Sequence, residues 1–200
     1  MYLRKIKNKT LHILNKNKKI IKAVFFKIIN KSDHNRWQDQ KALFPDWDER
    51  TQLLANHIKP NSTVFEFGAA RMSLKSMLPV GCTYYHSDLV KRAEDTLVAD
   101  LNQSFPEIPP TDVIVFSGVL EYLNKVPQLF HFLKDKSNVI LFSYASLDSF
   151  PNLNSRRKHG WISDHTLKEF STLAEKCGYQ SHSIGQWRKQ HLFKWSKTRS

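Results

Sequence analysis

Cysteine is nearly absent from this chain. Two residues in 200, Cys82 and Cys177, lie far apart and form no CxxC or CxxH spacing. That excludes a disulfide framework and a cysteine zinc site, and it predicts a reducing compartment, the cytoplasm. The nine histidines show no HExxH or other close ligand spacing, so no metal site is predicted. Glycine is scarce at six residues while aromatics reach 12%, a balance that points to a packed core rather than a disordered chain. Long apolar runs are missing too. The longest in the N-terminal segment is Ala23–Phe26, too short to span a bilayer or to form a signal-peptide core.

Acid is missing from both ends. Residues 1–31 hold ten Lys/Arg, residues 188–200 hold five, and neither stretch has an Asp or Glu. Subtracting these fifteen from 31 leaves 16 basic residues against all 18 acids, so the net charge of +13 belongs to the ends and the body is near neutral. A whole-chain nucleic-acid binder is therefore disfavoured. The stretch MYLRKIKNKTLHILNKNKKIIKAVFFKIIN places apolar residues at 3, 6, 13, 14, 20, 21, 24, 25 and 28, on one side of a helix, with most lysines on the other. Two readings stand. One is an interfacial helix on an anionic membrane surface, at its inner face for a cytoplasmic chain; the other is a helix packed on the domain with a solvated lysine face. The domain expectation is a basic helical segment over 1–32 and an α/β domain over 33–200.

Within the body, STVFEF (62–67), TYYHSD (83–88), TLVAD (96–100), DVIVFSG (112–118) and NVILFSYAS (138–146) read as strands, each a short apolar or β-branched run bounded by turn residues. LEYLNKVPQLFHFLKDKS between the last two reads as a crossover helix. SDHTLKEFSTLAEKCG reads as a helix with an N-cap at Ser163 or Asp164 and a stop at Gly178. YQSHSIGQW and QHLFKWSK then form an antiparallel pair at a sheet edge, with the terminal basic residues on its polar face. The expectation is a doubly wound, mostly parallel, seven-stranded Rossmann-like α/β sheet with an antiparallel C-terminal edge pair. Ligands bind such sheets at the carboxyl ends of their strands.

From about Asn61 onward, VFEFGAA (64–70), YYHSDLV (84–90), VADLN (98–102), DVIVFSGVLEYL (112–123) and the closing strand pair together resemble the class I S-adenosylmethionine-dependent methyltransferases. A shortened first half followed by RRKHGWISDHT (156–166) is similar to a subgroup of small bacterial methyltransferase-like proteins. The resemblance implies S-adenosylmethionine as cofactor. It implies Glu66 at the cofactor's amino-acid end, Gly68, Ala69 and Ala70 as the close-approach turn, and Asp88 on the ribose hydroxyls. Asp100 and Leu101 would border the adenine, and Ser117 and Gly118 would follow the fourth strand, with Glu121 near the methyl donor. The family's Gly-x-Gly-x-Gly is reduced here to Gly68-Ala69-Ala70 followed by Arg71, and a close approach at Ala70 requires a negative φ there.

A hydroxyl nucleophile would want a base, and His165 and His159, flanking Trp161, are the candidates. Trp161 is a candidate stacking surface for a sugar or aromatic substrate, with a core anchor as its other reading. Arg156 and Arg157 are candidate contacts for an anionic acceptor. Two functional classes follow: a methyltransferase acting on a small-molecule, sugar, polysaccharide or lipid-linked acceptor, and a non-catalytic methyltransferase-like module in surface-glycan assembly.

Overall fold

The computed structural model describes residues 17–198. Strands β1 (Thr63–Phe67), β2 (Thr83–Asp88), β3 (Leu97–Val98), β4 (Thr111–Phe116), β5 (Ser137–Tyr144), β6 (Tyr179–Trp187) and β7 (Gln190–Lys197) form one sheet in the order β3-β2-β1-β4-β5-β7-β6. The first five are parallel, and β7 runs antiparallel to both β5 and β6. This is the expected seven-stranded sheet. In one respect the expectation fails: β7, which carries Lys194 and Lys197, lies inside the sheet between β5 and β6, so the edge strand is β6.

Helices lie around this sheet: α1 (17–29), α2 (His34–Gln38), α3 (Asp48–Ala55), α4 (Ser73–Met77), α5 (Val126–Leu133), α6 (Leu153–Lys158) and α7 (Leu167–Lys176). One core packs Phe65, Phe67, Phe116 and Phe142 against Phe130 of α5 and Phe170 of α7. A second packs Val64, Val115 and Leu141 against Leu54 of α3 and Leu74 of α4. Alternation along each strand feeds both cores, because successive side chains point to opposite faces. No helix joins β2 to β3 or β3 to β4, which is the shortened first half.

Two local readings are corrected. The segment after β4 forms a 3-10 turn at Leu120–Tyr122 and only then α5, because Leu123 is extended and Pro127, lacking an N–H, sits in the first turn of a new helix. Helix α7 is capped by Thr166 in a capping box with Glu169, not by Ser163 or Asp164. Those two are engaged elsewhere: the Ser163 hydroxyl bonds Tyr144, and the Asp164 carboxylate takes Lys27, Arg156 and Arg157. Burial opposes the charge on Asp164, but the bonds from Arg157 and Lys27 outweigh it and hold its carboxyl at about 2.

The N-terminal positions 3, 6, 13 and 14 lie outside the described residues. Helix α1 meets the body through buried Ala23, Lys27 and, just beyond it, Asn30. Lys27 Nζ donates to Ile162 O at 2.7 Å, Asn124 donates to Lys27 O at 2.9 Å, and Asn30 donates to Asn102 O. A ridge of its apolar residues faces the other way: Ile21, Val24, Phe25 and Ile28 are 67%, 39%, 54% and 77% exposed. The helix therefore docks by Ala23, Lys27 and the half-buried Phe26 and leaves most of its apolar stripe outside, unlike a packed amphipathic helix.

Candidate functional site

Turns at the carboxyl ends of β1, β2 and β4 meet in one place. The N–H groups of Gly68 and Ala69 both donate to Ser87 O, at 2.8 and 3.1 Å. Gly68 has φ +70°, and a Cβ there would lie 2.5 Å from Val119 Cγ2, so the two turns close on each other only with glycine. Ala70 does not have the negative φ that the sequence reading required. It sits at φ +47° with its N–H donating to Asp88 Oδ2 at 2.7 Å. An L-residue is disfavoured there by about 1–2 kcal/mol. Glycine's greater unfolded-state entropy offsets part of this, so Ala70→Gly is expected to raise stability by about 0.5–1 kcal/mol in chemical denaturation.

The predicted acids have different surroundings. Glu66 is 3% exposed, accepts from the Tyr84 hydroxyl at 2.5 Å and lines the cavity at these turns. Burial raises its pKa to about 8 against the lowering hydrogen bond from Tyr84, with Asp88 adding a smaller upward push. Asp88 lines the same cavity. It accepts from Ala70 and Val90 backbone N–H and pairs with Arg92 at 3.1 Å, both side chains being nine-tenths or more buried. Asp100 lies outside this cavity's lining; it accepts from Ser32 N and Oγ at 3.1 and 2.6 Å and so pins the chain after α1. Leu101, Ala69, Ala70, Ser117 and Gly118 all line the cavity.

Trp37 of α2, with Leu43, Phe44 and Trp47 from the segment between α2 and α3, lines another side of the cavity. Arg50 of α3 crosses its floor, donating to Ser117 Oγ at 3.1 Å, Ser117 O at 3.0 Å and Gln190 Oε1 at 3.0 Å. The pocket holds about 120 Å³, below the roughly 300–1,000 Å³ usual for a small-molecule site.

The strand order, with its reversed seventh strand, and a glycine turn facing two carboxylates at the strand ends decide the fold. The chain has the fold of the class I S-adenosylmethionine-dependent methyltransferases. No family profile and no curated sequence matches it. Solved methyltransferase structures do. Human N-acetylserotonin methyltransferase in complex with S-adenosylmethionine aligns at TM-score 0.59 and 18% identity, over 82% of this chain and 56% of that one. Mitomycin 7-O-methyltransferase aligns at 0.56 and 16%, over 80% and 56%. The Burkholderia thailandensis 1,6-didemethyltoxoflavin-N1-methyltransferase with bound 1,6-didemethyltoxoflavin and S-adenosylhomocysteine aligns at 0.58 and 14%, over 81% and 82%. The chain thus spans little more than half the length of the first two.

On this methyltransferase fold a second cleft, of about 440 Å³, lies beside the first pocket, between α1 and the loop after α6. The two share Ser32, Trp37, Phe44 and Tyr122 in their walls. Tyr122 was not singled out from the sequence. Its hydroxyl accepts from Trp161 Nε1 at 3.2 Å and its ring lies 5.2 Å from the Arg36 guanidinium. Burial raises its pKa, with Arg36 acting in the opposite direction.

The other candidates are dispersed. His159 lines the second cleft, stacked 4.7 Å from Trp161. Burial lowers its pKa, and Arg36 and Lys19 add to this. His165 lines neither cleft; it packs beside Tyr144 and Phe170 in a separate hollow against α5 and α7. Trp161 is 7% exposed and serves as a packing anchor that holds Tyr122. Arg156 is fully buried and donates to Asp164, Ala145 O, Ser163 O and Tyr144, so it ties the loop to β5 rather than facing an acceptor. Arg157 borders the second cleft, but its guanidinium is bonded to Trp161 O and Asp164. Glu121 is also fully buried: its carboxylate accepts from Ala145 N at 2.8 Å and its carbonyl from Ile162 and Ser163 N–H. Burial raises its pKa against the pull of Arg50.

Sequence reading also missed Arg50, Arg92 and Trp37. Arg50 had a signal: it falls at i−4 from Leu54 and i−8 from Ile58, a charge on the buried stripe of α3.

Proposed function

We propose that this protein is a methyltransferase that uses S-adenosylmethionine. The observation that carries the reading is the joint placement of Gly68, Glu66 and Asp88 in one cavity at the carboxyl ends of β1 and β2. The donor set fits a ligand with an ammonium at one end and two ribose hydroxyls at the other. Glu66 is a buried carboxyl that ionises readily only beside a cation, and Asp88 keeps acceptor capacity beyond its present bonds. Bound S-adenosylmethionine supplies a methyl group on a sulfonium, open to in-line displacement. The chain's part is to hold the nucleophile in line and exclude water. Trp37 and Tyr122 form the wall between donor pocket and second cleft, and so would align an acceptor entering from that cleft. His159 would take the proton from a hydroxyl acceptor, since burial keeps it neutral at physiological pH.

Trp37, Phe44 and Trp47 line the pocket, so a ligand entering it meets their rings. Titrating S-adenosylmethionine should therefore change tryptophan fluorescence, and Trp47→Phe should remove a large part of that change. A flat titration in the wild type would contradict the proposal. The small pocket volume and Arg50 across the floor favour a second reading, a non-catalytic methyltransferase-like module in surface-glycan assembly. That reading expects no binding of the cofactor at any concentration tested.

The finer assignment is O-methylation of a sugar, polysaccharide or lipid-linked acceptor at a membrane's inner face. The outward ridge Ile21-Val24-Phe25-Ile28, within a segment holding ten basic residues and no acid, supports attachment to an anionic bilayer. No described helix is long and apolar enough to cross one. Phe25→Ser with Ile28→Ser is expected to reduce co-sedimentation with phosphatidylglycerol vesicles several-fold. Undiminished pelleting would remove the ridge from this role.

A further inference from the structure

We infer that the second cleft is an anion-binding acceptor site that takes a phosphoryl group carried by the molecule to be methylated. The inference rests on the methyl-transfer reading for the word acceptor, and on the cleft's own residues for the phosphate. Lys19, Lys22, Lys31, Arg36 and Lys158 converge, with the neutral imidazole of His159, on one space of about 440 Å³, the size of a small-molecule site. Against them stands one acid, Asp33, which pairs with Lys22 at 2.8 Å.

Among the described residues, Lys19, Lys31 and Lys158 have no acid partner. Arg36 has none either. It donates to the carbonyl of His159 at 2.7 Å and lies over the rings of Trp37 and Tyr122, leaving a guanidinium charge without a counter-ion on the wall shared with the donor pocket. Gly160 permits this placement, since a Cβ there would lie 2.3 Å from Arg36 Nη1.

Helix α1 supplies the second line of argument. Docking turns Lys19 and Lys22 into the cleft while its apolar ridge faces outward. Both lysines stay solvated at the cleft mouth, Lys22 with half of its side chain exposed, and so remain free to meet a ligand. Asp100 and Asn102 hold this docking in place, through Ser32 and Asn30. Like charges gathered in a concave space repel one another unless an anion joins them, and a phosphoryl group offers several acceptor oxygens to several donors at once. The depressed basicity of His159, to which Arg36 and Lys19 contribute, reports the same positive field.

The test compares the full chain with the double variant Lys31→Glu, Lys158→Glu. Both side chains are exposed, and matching thermal midpoints will show that the fold is kept. Inorganic pyrophosphate is titrated by calorimetry in one arm, and phosphatidylglycerol vesicles are used for co-sedimentation in the other. The wild type should bind pyrophosphate with an affinity that falls as salt rises, and the variant should bind at least about tenfold more weakly. Loss of the pyrophosphate arm alone assigns the cleft to a soluble phosphoester; loss of both assigns it to a phosphorylated lipid headgroup. No pyrophosphate binding by the wild type, or pyrophosphate binding retained by the variant, overturns the inference. S-adenosylmethionine titrated into both proteins reads the donor pocket separately and should give equal affinities, so failure there would count against methyl transfer and not against the cleft.

Discussion

Asp88→Ala should cost about 3–5 kcal/mol of stability and abolish cofactor binding in the molecules that remain folded. The cost arises from what Asp88 neutralises. Arg92 is nine-tenths buried beside it, and the backbone N–H groups of Ala70 and Val90 donate to the same carboxylate. Alanine would leave a guanidinium buried without a counter-charge and would release the strained Ala70 turn. Asp88→Asn keeps the shape and one acceptor oxygen but not the charge, so it should fall between wild type and alanine. Urea denaturation measures both. A loss below about 1 kcal/mol for alanine would mean that the pair behaves as a surface ion pair, contrary to its burial.

Stability should decline as pH rises from about 4.5 towards about 8, by about 1.4 kcal/mol per unit from Glu66 alone, and then level off. The sign follows from proton counting. Within that window the folded state keeps the Glu66 proton and the unfolded state does not, so each rise in pH favours unfolding. Glu66→Gln, which imitates the protonated side chain and can still accept from Tyr84, should remove this slope and be more stable than the wild type near pH 8. Ligand binding carries the same proton in the opposite sense. A cation placed beside Glu66 draws the proton off, so affinity for an ammonium-bearing ligand should rise with pH up to about 8 and then stay constant. In Glu66→Gln that rise should vanish. Denaturation curves across this range, for both proteins, settle the first point and pH-dependent titrations the second.

The strands were legible because each is a short apolar run ending at a turn residue, but such runs do not say which strand lies beside which, and β7 lies inside the sheet where an edge was expected. The turn that brings Gly68, Glu66 and Asp88 to one cavity was legible for the same reason: it lies within a single strand-turn-helix and the strand beside it. What failed was whatever depends on residues distant in sequence. Asp100 looked like a cleft acid and instead holds Ser32, because no local pattern shows that the chain before α2 returns to that strand end. Arg156 and Arg157 looked like exposed charges in a loop, yet Asp164, seven or eight residues on, draws them into a buried cluster. Ala70 was misread in a different way. Propensity disfavours a left-handed alanine, but the bond from its N–H to Asp88, together with the turn around it, fixes that conformation. Helix α1 was read correctly as amphipathic, while which face it turns inward is decided by Asn102, Asn124 and Asp164, none of which lies near it in the chain.

Calorimetric titration of S-adenosylmethionine into the full chain, at one pH below and one above the titration of Glu66, addresses the central claim most directly. Saturable one-to-one binding is expected, tighter at the higher pH and weakened at least about tenfold by Asp88→Asn. Absence of saturable binding in the wild type, or equal affinity in the variant, would contradict a cofactor site at the carboxyl ends of β1 and β2.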